Sequence, residues 1–281
     1  MKPLPRIRQF RRATKYRRTW VLCQCPDDVV GTRAAVAERL FANAQKRRTK
    51  LPLRGQFSAR LGWHAKIMAS RPKQATPRPA PRLYLITPQI ADAFAFPARL
   101  VSALDAGDVA AVLLRLGDAH ERALSLAALV QGKGCALLID GRFDFVARAG
   151  ADGAHLTGVA AFTDAIGQLK PERIAGAGGL VSRHEAMVVA EQGADYVMFG
   201  EPDAMGKRPS LSAIEERVEW WAEVFEIPCV GYAASLDEIA PLALAGADFV
   251  ALGDFVWRNE DAIASIIAEA GRALRLPEPA A

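Results

Sequence analysis

A short glycine–aspartate motif recurs four times in the chain, each time between a helical pattern and an apolar run. The copies are Gly107-Asp108, Gly150-Ala151-Asp152, Gly193-Ala194-Asp195 and Gly246-Ala247-Asp248, and successive glycines are 43, 43 and 53 residues apart. Glycine readily adopts the left-handed conformation that ends a helix, so each copy predicts a helix stop followed by a strand. The copies precede every second predicted strand, which indicates a double βα unit repeated four times.

From residue 83 onward, strand-like and helix-like runs alternate. The predicted strands are Leu83–Ile86, Val109–Leu114, Ala136–Ile139, Gly153–Leu156, Arg173–Ala175, Tyr196–Phe199, Pro228–Tyr232 and Phe249–Leu252. The predicted helices are Ala91–Ala106, Ala119–Gln131, Phe143–Ala149, Ala160–Leu169, Ser182–Gln192, Ser210–Phe225, Ser235–Ala245 and Asn259–Leu274. Eight βα pairs in about 190 residues favour a TIM (β/α)8 barrel over a doubly wound sheet.

The first eighty residues differ in charge from the rest. Residues 1–80 contain 20 Lys/Arg and three acidic residues, which gives a net charge of +17. Since the whole chain has a net charge of +5, residues 81–281 have a net charge of −12. A Pro-rich run at 71–81 is typical of an extended linker. We therefore predict a basic, largely unstructured extension with its linker at 1–80 and a barrel at 81–276.

Three interpretations of the extension are open. Its Arg-rich, acid-poor composition is typical of an organelle transit peptide, and it also suits an arm that binds nucleic acid. The third interpretation is a disordered segment, or an assigned start that is too early, with Met68 as the natural start. Because the predicted barrel is acidic, nucleic acid is not expected as a main partner.

The four cysteines do not predict a disulfide framework. Cys135 and Cys229 lie in or beside predicted strands and are expected in the core, whereas Cys23 and Cys25 form a lone C-x-C pair. No apolar run approaches the roughly 18 residues of a membrane-spanning helix. These features predict a cytoplasmic protein with reduced thiols and no membrane partner.

Two serines precede helices in the S-x-x-E pattern of a capping box. Ser182 stands before Glu185, and Ser235 stands before Glu238. Both serines are therefore predicted to cap helices rather than to act as nucleophiles. No Ser/His/Asp arrangement indicates a triad, which disfavours acyl-transfer chemistry.

The ligand site of such a barrel lies at the carboxyl ends of the strands. The basic residues that follow strands there are Arg115, Arg142, Lys207 and Arg208. They would either face an anionic substrate or form rim ion pairs with carboxylates, for which Asp140, Glu201 and Asp254 are available.

Other candidates at the same strand ends are a histidine and several small residues. His155 is predicted either to face a ligand at the mouth of the barrel or to be a buried histidine whose hydrogen bonds are made within the protein. The loops after strands five, seven and eight are predicted to bring backbone groups close to a ligand or its phosphate. The residues concerned are Gly178, Gly179, Ala233, Ala234 and Gly253.

Several segments together resemble the thiamine phosphate synthase/TenI family. They are Leu83–Thr87, Leu113–Arg115, Leu138–Arg142, Gly150–Leu156, Gly193–Val197, Lys207, Ile227–Val230 and Ala245–Asp248, in the family's order over residues 82–270. The resemblance implies a TIM barrel and a homodimer. For the synthases it implies the joining of hydroxymethylpyrimidine diphosphate to a thiazole phosphate, with Mg²⁺ on the leaving pyrophosphate. The TenI-type relatives are thiazole tautomerases or have no known activity.

The chain departs from the family pattern at positions that carry the chemistry. Gly141 and Ala160 stand where the family has metal-binding carboxylates, and Leu113 and Gly117 replace a Gln and a Lys. The tautomerase histidine aligns near Val181. Loss of one electrostatic donor from a site of this kind typically costs on the order of 10²–10³ in rate. The departures therefore predict weak, altered or absent standard synthase activity.

The sequence thus predicts a thiamine phosphate synthase/TenI-like protein of thiamine biosynthesis that joins or binds the two phosphorylated ligands. Asp140 and Lys207 are the candidate catalytic residues, and Asp140 is the remaining candidate for a metal ligand or a general base. Arg115, Arg142 and Lys207 would hold the phosphates. No set of metal-binding residues is predicted, and Mg²⁺ is expected through the resemblance alone. The alternative is a non-catalytic phosphate-ligand-binding or regulatory barrel.

Overall fold

Eight parallel strands form a closed barrel in the computed structural model, which describes residues 79–90, 96–116 and 123–275. The strands are β1 Arg82–Ile86, β2 Val109–Leu114, β3 Ala136–Asp140, β4 Gly153–Thr157, β5 Ile174–Gly178, β6 Tyr196–Phe199, β7 Cys229–Ala233 and β8 Phe249–Leu252. Each strand pairs with its neighbours in sequence, and β1 pairs with β8 to close the sheet. The predicted TIM (β/α)8 fold is confirmed.

Helices connect the strands and cover the outside of the barrel. They are α1 Phe96–Ala106, α2 Ala123–Gly132, α3 Val146–Ala149, α4 Val159–Leu169, α5 Arg183–Gln192, α6 Leu211–Val224, α7 Ile239–Leu244 and α8 Ile263–Ala273. Apolar residues at helical spacing give a helix one face that is buried on the sheet. In α8 this face consists of Ile263, Ile267 and Ala270. α8 packs beside α1 and completes the outer layer.

Three of the four recurring glycines end helices in the predicted way. Gly150, Gly193 and Gly246 have φ angles of 64°, 104° and 100° and follow α3, α5 and α7. Side chains other than glycine rarely adopt this conformation, so each glycine directs the chain from a helix into the next strand.

The aspartates that follow these glycines tie strands together in pairs. Each carboxylate accepts a hydrogen bond from a backbone N–H near the start of the preceding strand. The bonds run from Leu137 N to Asp152 (2.8 Å), from Ala175 N to Asp195 (2.8 Å) and from Cys229 N to Asp248 (2.9 Å). They join β3 to β4, β5 to β6 and β7 to β8, so the sequence repeat corresponds to a structural repeat of strand pairs.

The first copy of the motif has a different basis. Gly107 does not have a positive φ, so the predicted left-handed stop is wrong at this position. A Cβ atom on Gly107 would lie 2.8 Å from Cγ2 of Ile267, and the glycine therefore serves the packing of α8 against the barrel. Asp108 pairs with Arg82 of β1 through two hydrogen bonds of 2.6 and 3.0 Å.

The Gly-rich stretch predicted as a loop after the fifth strand is largely part of that strand. β5 covers Ile174–Gly178 rather than Arg173–Ala175, because Gly176 and Gly178 pair in register with His155 and Thr157 of β4. Glycines occupy the inner face of β5 because side chains from neighbouring strands fill the space beside it. Three predicted helices, at 143–149, 235–245 and 259–274, also begin as 3₁₀ turns before α3, α7 and α8.

One of the two predicted capping boxes is present. The Ser182 hydroxyl accepts a hydrogen bond from Glu185 N (3.2 Å), and the Glu185 carboxylate accepts one from Ser182 N (3.3 Å). Ser235 makes no such cap. Its expected partner Glu238 instead accepts a hydrogen bond from Ala234 N and pairs with Arg208, so the Ser235 prediction is wrong.

The predicted positions of the barrel cysteines are confirmed, since Cys135 and Cys229 are buried and unbridged. Cys23, Cys25 and Met68 lie outside the described residues, and the division at residue 80 stays a prediction. In the described part of the chain, no helix is long and apolar enough to cross a membrane.

Candidate functional site

An open cleft of about 850 Å³ lies over the carboxyl ends of the strands. Its volume is in the range of small-molecule sites, and its position is the one at which TIM barrels bind their ligands. Charged side chains from several elements line it: Arg115, Asp140, Glu201, Asp203, Lys207, Arg208 and Arg217.

Arg115 follows β2 and is oriented by three polar contacts. Its backbone N–H donates to Oγ1 of the fully buried Thr87 at 3.0 Å. Its guanidinium lies 3.5 Å from Asp140 (Nε to Oδ2) and 3.5 Å from Asp254 (Nη1 to Oδ1). A guanidinium has five N–H donors, and two long contacts leave it able to bind an anion in the cleft.

Asp140 is the last residue of β3 and faces the cleft. Side chains alternate along a strand, and Asp140 shares the inner face with the barrel-interior residues Ala136 and Leu138. Its Cα partner on β4 is His155. Burial raises the pKa of the Asp140 carboxyl above its ordinary value, and the nearby His155 and Arg115 charges only partly offset this.

A buried hydrogen-bonded pair lies beneath the cleft. The His155 side chain is fully buried, and its Nε2 lies 3.0 Å from Oε1 of Glu201, which follows β6 and is 11% exposed. The second oxygen, Oε2, accepts a hydrogen bond from Gly179 N at 3.0 Å. Both carboxylate oxygens of Glu201 therefore have partners from the protein.

Two tyrosines extend this pair across the barrel interior. Nδ1 of His155 lies 2.9 Å from the Tyr196 hydroxyl, which lies 2.9 Å from the Tyr84 hydroxyl on β1. Burial is the main cause that raises the pKa of both tyrosines, so both hydroxyls stay protonated. The result is a continuous line of four side chains: Glu201, His155, Tyr196 and Tyr84.

Two glycines of β5 provide the space for this line. A Cβ atom on Gly176 would lie 2.0 Å from the Tyr196 ring, and a Cβ atom on Gly178 would lie 1.8 Å from Glu201 Oε2. These distances are far below van der Waals contact. Glycine at the two positions is thus a condition for the buried network.

The two members of the buried pair stabilise each other's charge. Burial alone would lower the pKa of His155, but the Glu201 charge and hydrogen bond raise it above its ordinary value. Burial alone would raise the pKa of Glu201, but His155 and the Gly179 N–H hold it below its ordinary value. Each partner therefore favours the charged form of the other, His155 as an imidazolium and Glu201 as a carboxylate.

A second ion pair fixes the far wall of the cleft. Arg208 donates to Glu238 Oε1 at 2.8 Å and to the Tyr232 carbonyl at 3.2 Å. The same carboxylate accepts a hydrogen bond from Ala234 N at 2.7 Å, through Oε2. Glu238 thus connects Arg208 to the turn after β7.

The structure brings together some of the predicted site residues and separates others. Arg115, Asp140, Gly179 and Lys207 line the cleft, and His155 lies beneath it. Arg142 is exposed and pairs with Asp144 at 2.9 and 3.0 Å, a carboxylate other than the three named for the rim ion pairs.

The backbone positions predicted to bind phosphate differ in their burial and in whether their N–H groups already have partners within the protein. Gly178 is buried against the His155–Glu201 pair. The N–H groups of Gly179 and Ala234 donate hydrogen bonds to the carboxylates of Glu201 and Glu238. Ala233 is fully buried, and Gly253 makes room for the Tyr232 hydroxyl. Binding of a ligand by these positions stays a prediction.

Sequence reasoning missed the buried network. Glu201 was recognised at a strand end, but only as a candidate partner for a basic residue. Tyr84 and Tyr196 gave no signal, because buried aromatic residues are usual in strands and these two are 112 residues apart in sequence. The glycines of β5 were the available clue, since an inner face without side chains implies large side chains opposite.

The donor set does not fit a magnesium site built by the protein alone. Mg²⁺ prefers oxygen ligands in octahedral geometry. Among the described residues, no group of three or more His, Cys, Asp or Glu side chains could hold a metal ion. Asp140 is a single carboxylate beside Arg115, and both oxygens of Glu201 are engaged.

The fold and the cleft define a TIM-barrel protein with a charged site of small-ligand size. Comparison with known proteins identifies the kind of barrel. A family model described as thiamine monophosphate synthase matches residues 83–255. The thiamine-phosphate synthase of Rhodospirillum centenum is 41% identical over 212 residues, covering 69% of this chain and 98% of that protein. The corresponding protein of Hyphomonas neptunium is 38% identical over 210 residues, covering 69% and 93%.

These matches show that the chain belongs to the thiamine monophosphate synthase family. Among solved structures, a thiamine phosphate pyrophosphorylase from Pyrococcus furiosus superimposes with a TM-score of 0.56 at 21% identity, covering 70% of this chain and 96% of that one. 3-Hexulose-6-phosphate synthase from Salmonella typhimurium gives 0.53 at 18% identity, covering 69% and 98%. At this identity the two structures support the barrel fold alone.

Proposed function

We propose that the protein acts in thiamine biosynthesis and joins hydroxymethylpyrimidine diphosphate to thiazole phosphate. In this reaction, the bond from the pyrimidine methylene carbon to the diphosphate breaks, a bond from that carbon to the thiazole forms, and pyrophosphate leaves. The observation that carries the proposal is Arg115, held at the mouth of a family barrel with donors directed at a cleft of about 850 Å³. The names of the relatives support the pathway.

The basic and acidic residues of the cleft have different proposed roles. Arg115 and Lys207 neutralise phosphate oxygens, and Arg115 also orients them because its guanidinium is fixed. Asp140 is the hydrogen-bond acceptor of the cleft in its carboxylate form, since it lines the cleft and the reaction as written transfers no proton. Arg142, Gly178, Gly179, Ala233, Ala234 and Gly253 keep the phosphate-binding role that the sequence predicts, and His155 contributes from beneath the cleft.

Departure of pyrophosphate creates negative charge that the protein must stabilise. Because the donor set does not fit a protein-built magnesium site, we assign this stabilisation to cationic side chains. Arg115 and Lys207 line the cleft, and Arg208 lies in its wall. Loss of the family's carboxylates from positions 141 and 160 favours a second candidate function, a non-catalytic barrel that binds the same phosphorylated ligands.

One assay separates the two candidates. The full-length protein is incubated with both phosphorylated substrates and Mg²⁺, and thiamine phosphate is measured. We expect product, with the rate strongly reduced in Lys207→Ala and unchanged in Lys133→Ala, which replaces an exposed lysine after α2. No product, together with a rise in melting temperature on adding thiazole phosphate, would overturn the transferase and support the binding protein.

The setting of the protein is also a proposal. We infer that it is cytoplasmic and that its partners are small phosphorylated molecules rather than membranes or nucleic acid. The family resemblance further supports a homodimer, which size-exclusion chromatography with light scattering tests directly.

A further inference from the structure

The buried line from Glu201 to Tyr84 is a polar network in which the proposed chemistry gives no role to Glu201, Tyr196 or Tyr84. It connects the loop after β6 with β4, β6 and β1 through contacts of 3.0, 2.9 and 2.9 Å. A buried ion pair contributes little net stability, because desolvation offsets the attraction between its charges. Its position suggests a role, since His155 is the Cα partner of Asp140 and Glu201 lines the same cleft as Asp140 and Arg115.

Glu201 also determines the shape of one wall of the cleft. Its Oε2 holds Gly179 N, and Arg217 of α6 donates to the carbonyls of Leu180 and Val181 at 3.1 and 2.9 Å. Gly179, Leu180 and Val181 line the cleft. Glu201 therefore bonds both to His155, which lies beneath the cleft, and to Gly179, which is part of the cleft wall.

We propose that Glu201 is a positioning residue for the reaction at this cleft: it holds the His155 ring beside Asp140, favours its cationic form, and fixes the wall at Gly179. The inference rests on the proposed function for its effect on turnover. Its effect on His155 is independent of turnover.

The hydrogen bonds give the network one direction when His155 carries both protons. Nε2–H then donates to Glu201 and Nδ1–H donates to Tyr196, whose hydroxyl donates to Tyr84. A neutral imidazole would have to accept at one of its two nitrogens, and it would leave Asp140 without its cationic neighbour on β4. The titratable and charged groups that act on His155 are Glu201, Tyr196, Tyr84, Asp140 and Arg115.

The first experiment follows the His155 imidazole by NMR through a pH titration of the full-length protein. We expect Glu201→Gln, which keeps the shape and removes the charge, to move the midpoint of the His155 titration to lower pH. Glu223→Gln, on an exposed part of α6, should leave the midpoint in place. An unchanged midpoint in Glu201→Gln would overturn the inference.

The second experiment measures kcat/KM for thiamine phosphate formation against pH. We expect Glu201→Gln to lower the plateau by about tenfold, the effect of one lost charge-assisted hydrogen bond. Its acidic limb should move to higher pH, because the cationic His155 lowers the pKa of Asp140 by more than the Glu201 charge, also removed, raises it. A purely structural role would lower the plateau without moving the limb, and that result would overturn the inference while leaving the proposed function intact.

The experiments distinguish a failure of the proposed function from a failure of the positioning role. If the wild-type protein forms no product and does not bind inorganic pyrophosphate in calorimetry, then the cleft is not the assumed ligand site, and the positioning role falls with it. Gly178→Ala gives an independent check, because its methyl group would collide with Glu201 and His155 without altering either residue. It should reproduce the shifted acidic limb; an unchanged limb in a folded Gly178→Ala protein would contradict the inference.

Discussion

Two carboxylates of the cleft have opposite properties because their partners differ. Glu201 has a hydrogen-bonded imidazolium and a backbone N–H, so it stays ionised despite its burial. Asp140 has only a long contact to Arg115, and burial dominates its pKa. Environments that separate two acids in this way commonly distinguish a fixed charge from a group that exchanges protons. The two roles follow from local structure, since both residues end or follow a strand.

Replacing Arg115 tests its role as the anion contact. Arg115→Ala should weaken binding of inorganic pyrophosphate about tenfold or more, because a hydrogen bond to a charged group contributes roughly 1.5–3 kcal/mol. Isothermal titration calorimetry measures the change. Arg272→Ala, on the exposed side of α8, is the matched control. Equal affinity in the two variants would remove Arg115 from the site.

The buried pair should make stability depend on pH in a defined window. The pKa of His155 is raised above 6.5 in the folded protein, so its stabilisation is complete below 6.5 and is lost as pH rises through the raised value. The pKa of Glu201 is lowered below 4.5, so its stabilisation is complete above 4.5 and is lost as pH falls through the lowered value.

The difference in melting temperature between wild type and Glu201→Gln should therefore be largest between pH 4.5 and 6.5 and shrink on both sides. Differential scanning calorimetry measures it. A difference that does not vary with pH would contradict the assignment of charges to the pair.

At the scale of elements, the hydrogen bonds from backbone N–H groups to Asp152, Asp195 and Asp248 explain why a sequence repeat predicts the barrel. Glycine stops and strand-entry aspartates are local signals, and three of the four copies act locally, so helix ends and strand starts near them were correct. The signal failed at Gly107, where contact with α8 at the other end of the chain decides the conformation. A separate prediction, the end of the fifth strand at Ala175, is wrong because Gly176 and Gly178 belong to β5, and the side chains that fill their space come from β4, β6 and the loop that follows β6.

The same limit applies to the candidate site. Arg115, Asp140 and Lys207 were found because a position after a strand is readable from sequence. The pairing of Glu201 with His155 was not, because it depends on distances between elements that are 46 residues apart.

A strand-entry aspartate should contribute measurably to stability. Asp152→Ala removes the acceptor of Leu137 N and of a Gln131 side-chain N–H, and should reduce the free energy of unfolding by roughly 1.5–3 kcal/mol. Asp108→Ala removes a surface ion pair in which the aspartate is 74% exposed, so the loss should be below about 1 kcal/mol. Urea unfolding compares the two. Equal losses would mean that the ties do not stabilise the strand pairs.

At the scale of the whole molecule, charge is divided between the extension and the barrel. The barrel region has a net charge of −12, yet Arg115, Lys207, Arg208 and Arg217 all line the cleft. A local positive site on an acidic protein favours small anions over extended polyanions, whose further charges meet the acidic surroundings. This fits small phosphorylated ligands.

Ligand and metal should affect thermal stability differently. Pyrophosphate at 100 times its dissociation constant should stabilise the protein by about 2.7 kcal/mol and raise the melting temperature by several degrees. Mg²⁺ alone should give no comparable shift, because the described side chains do not form a binding site for it. Differential scanning fluorimetry with each addition measures both. A large shift from Mg²⁺ alone would show a metal site that these side chains do not explain.

The direction of the strands has a practical consequence. Every strand runs toward the cleft and every helix runs back, so the chain enters β1 and leaves α8 at the face opposite the cleft. A tether, a surface or a fused protein attached through either end of the described chain therefore meets the barrel on its reverse side. An immobilised protein would present its cleft outward, which suits it to surface-based measurement of small phosphorylated ligands.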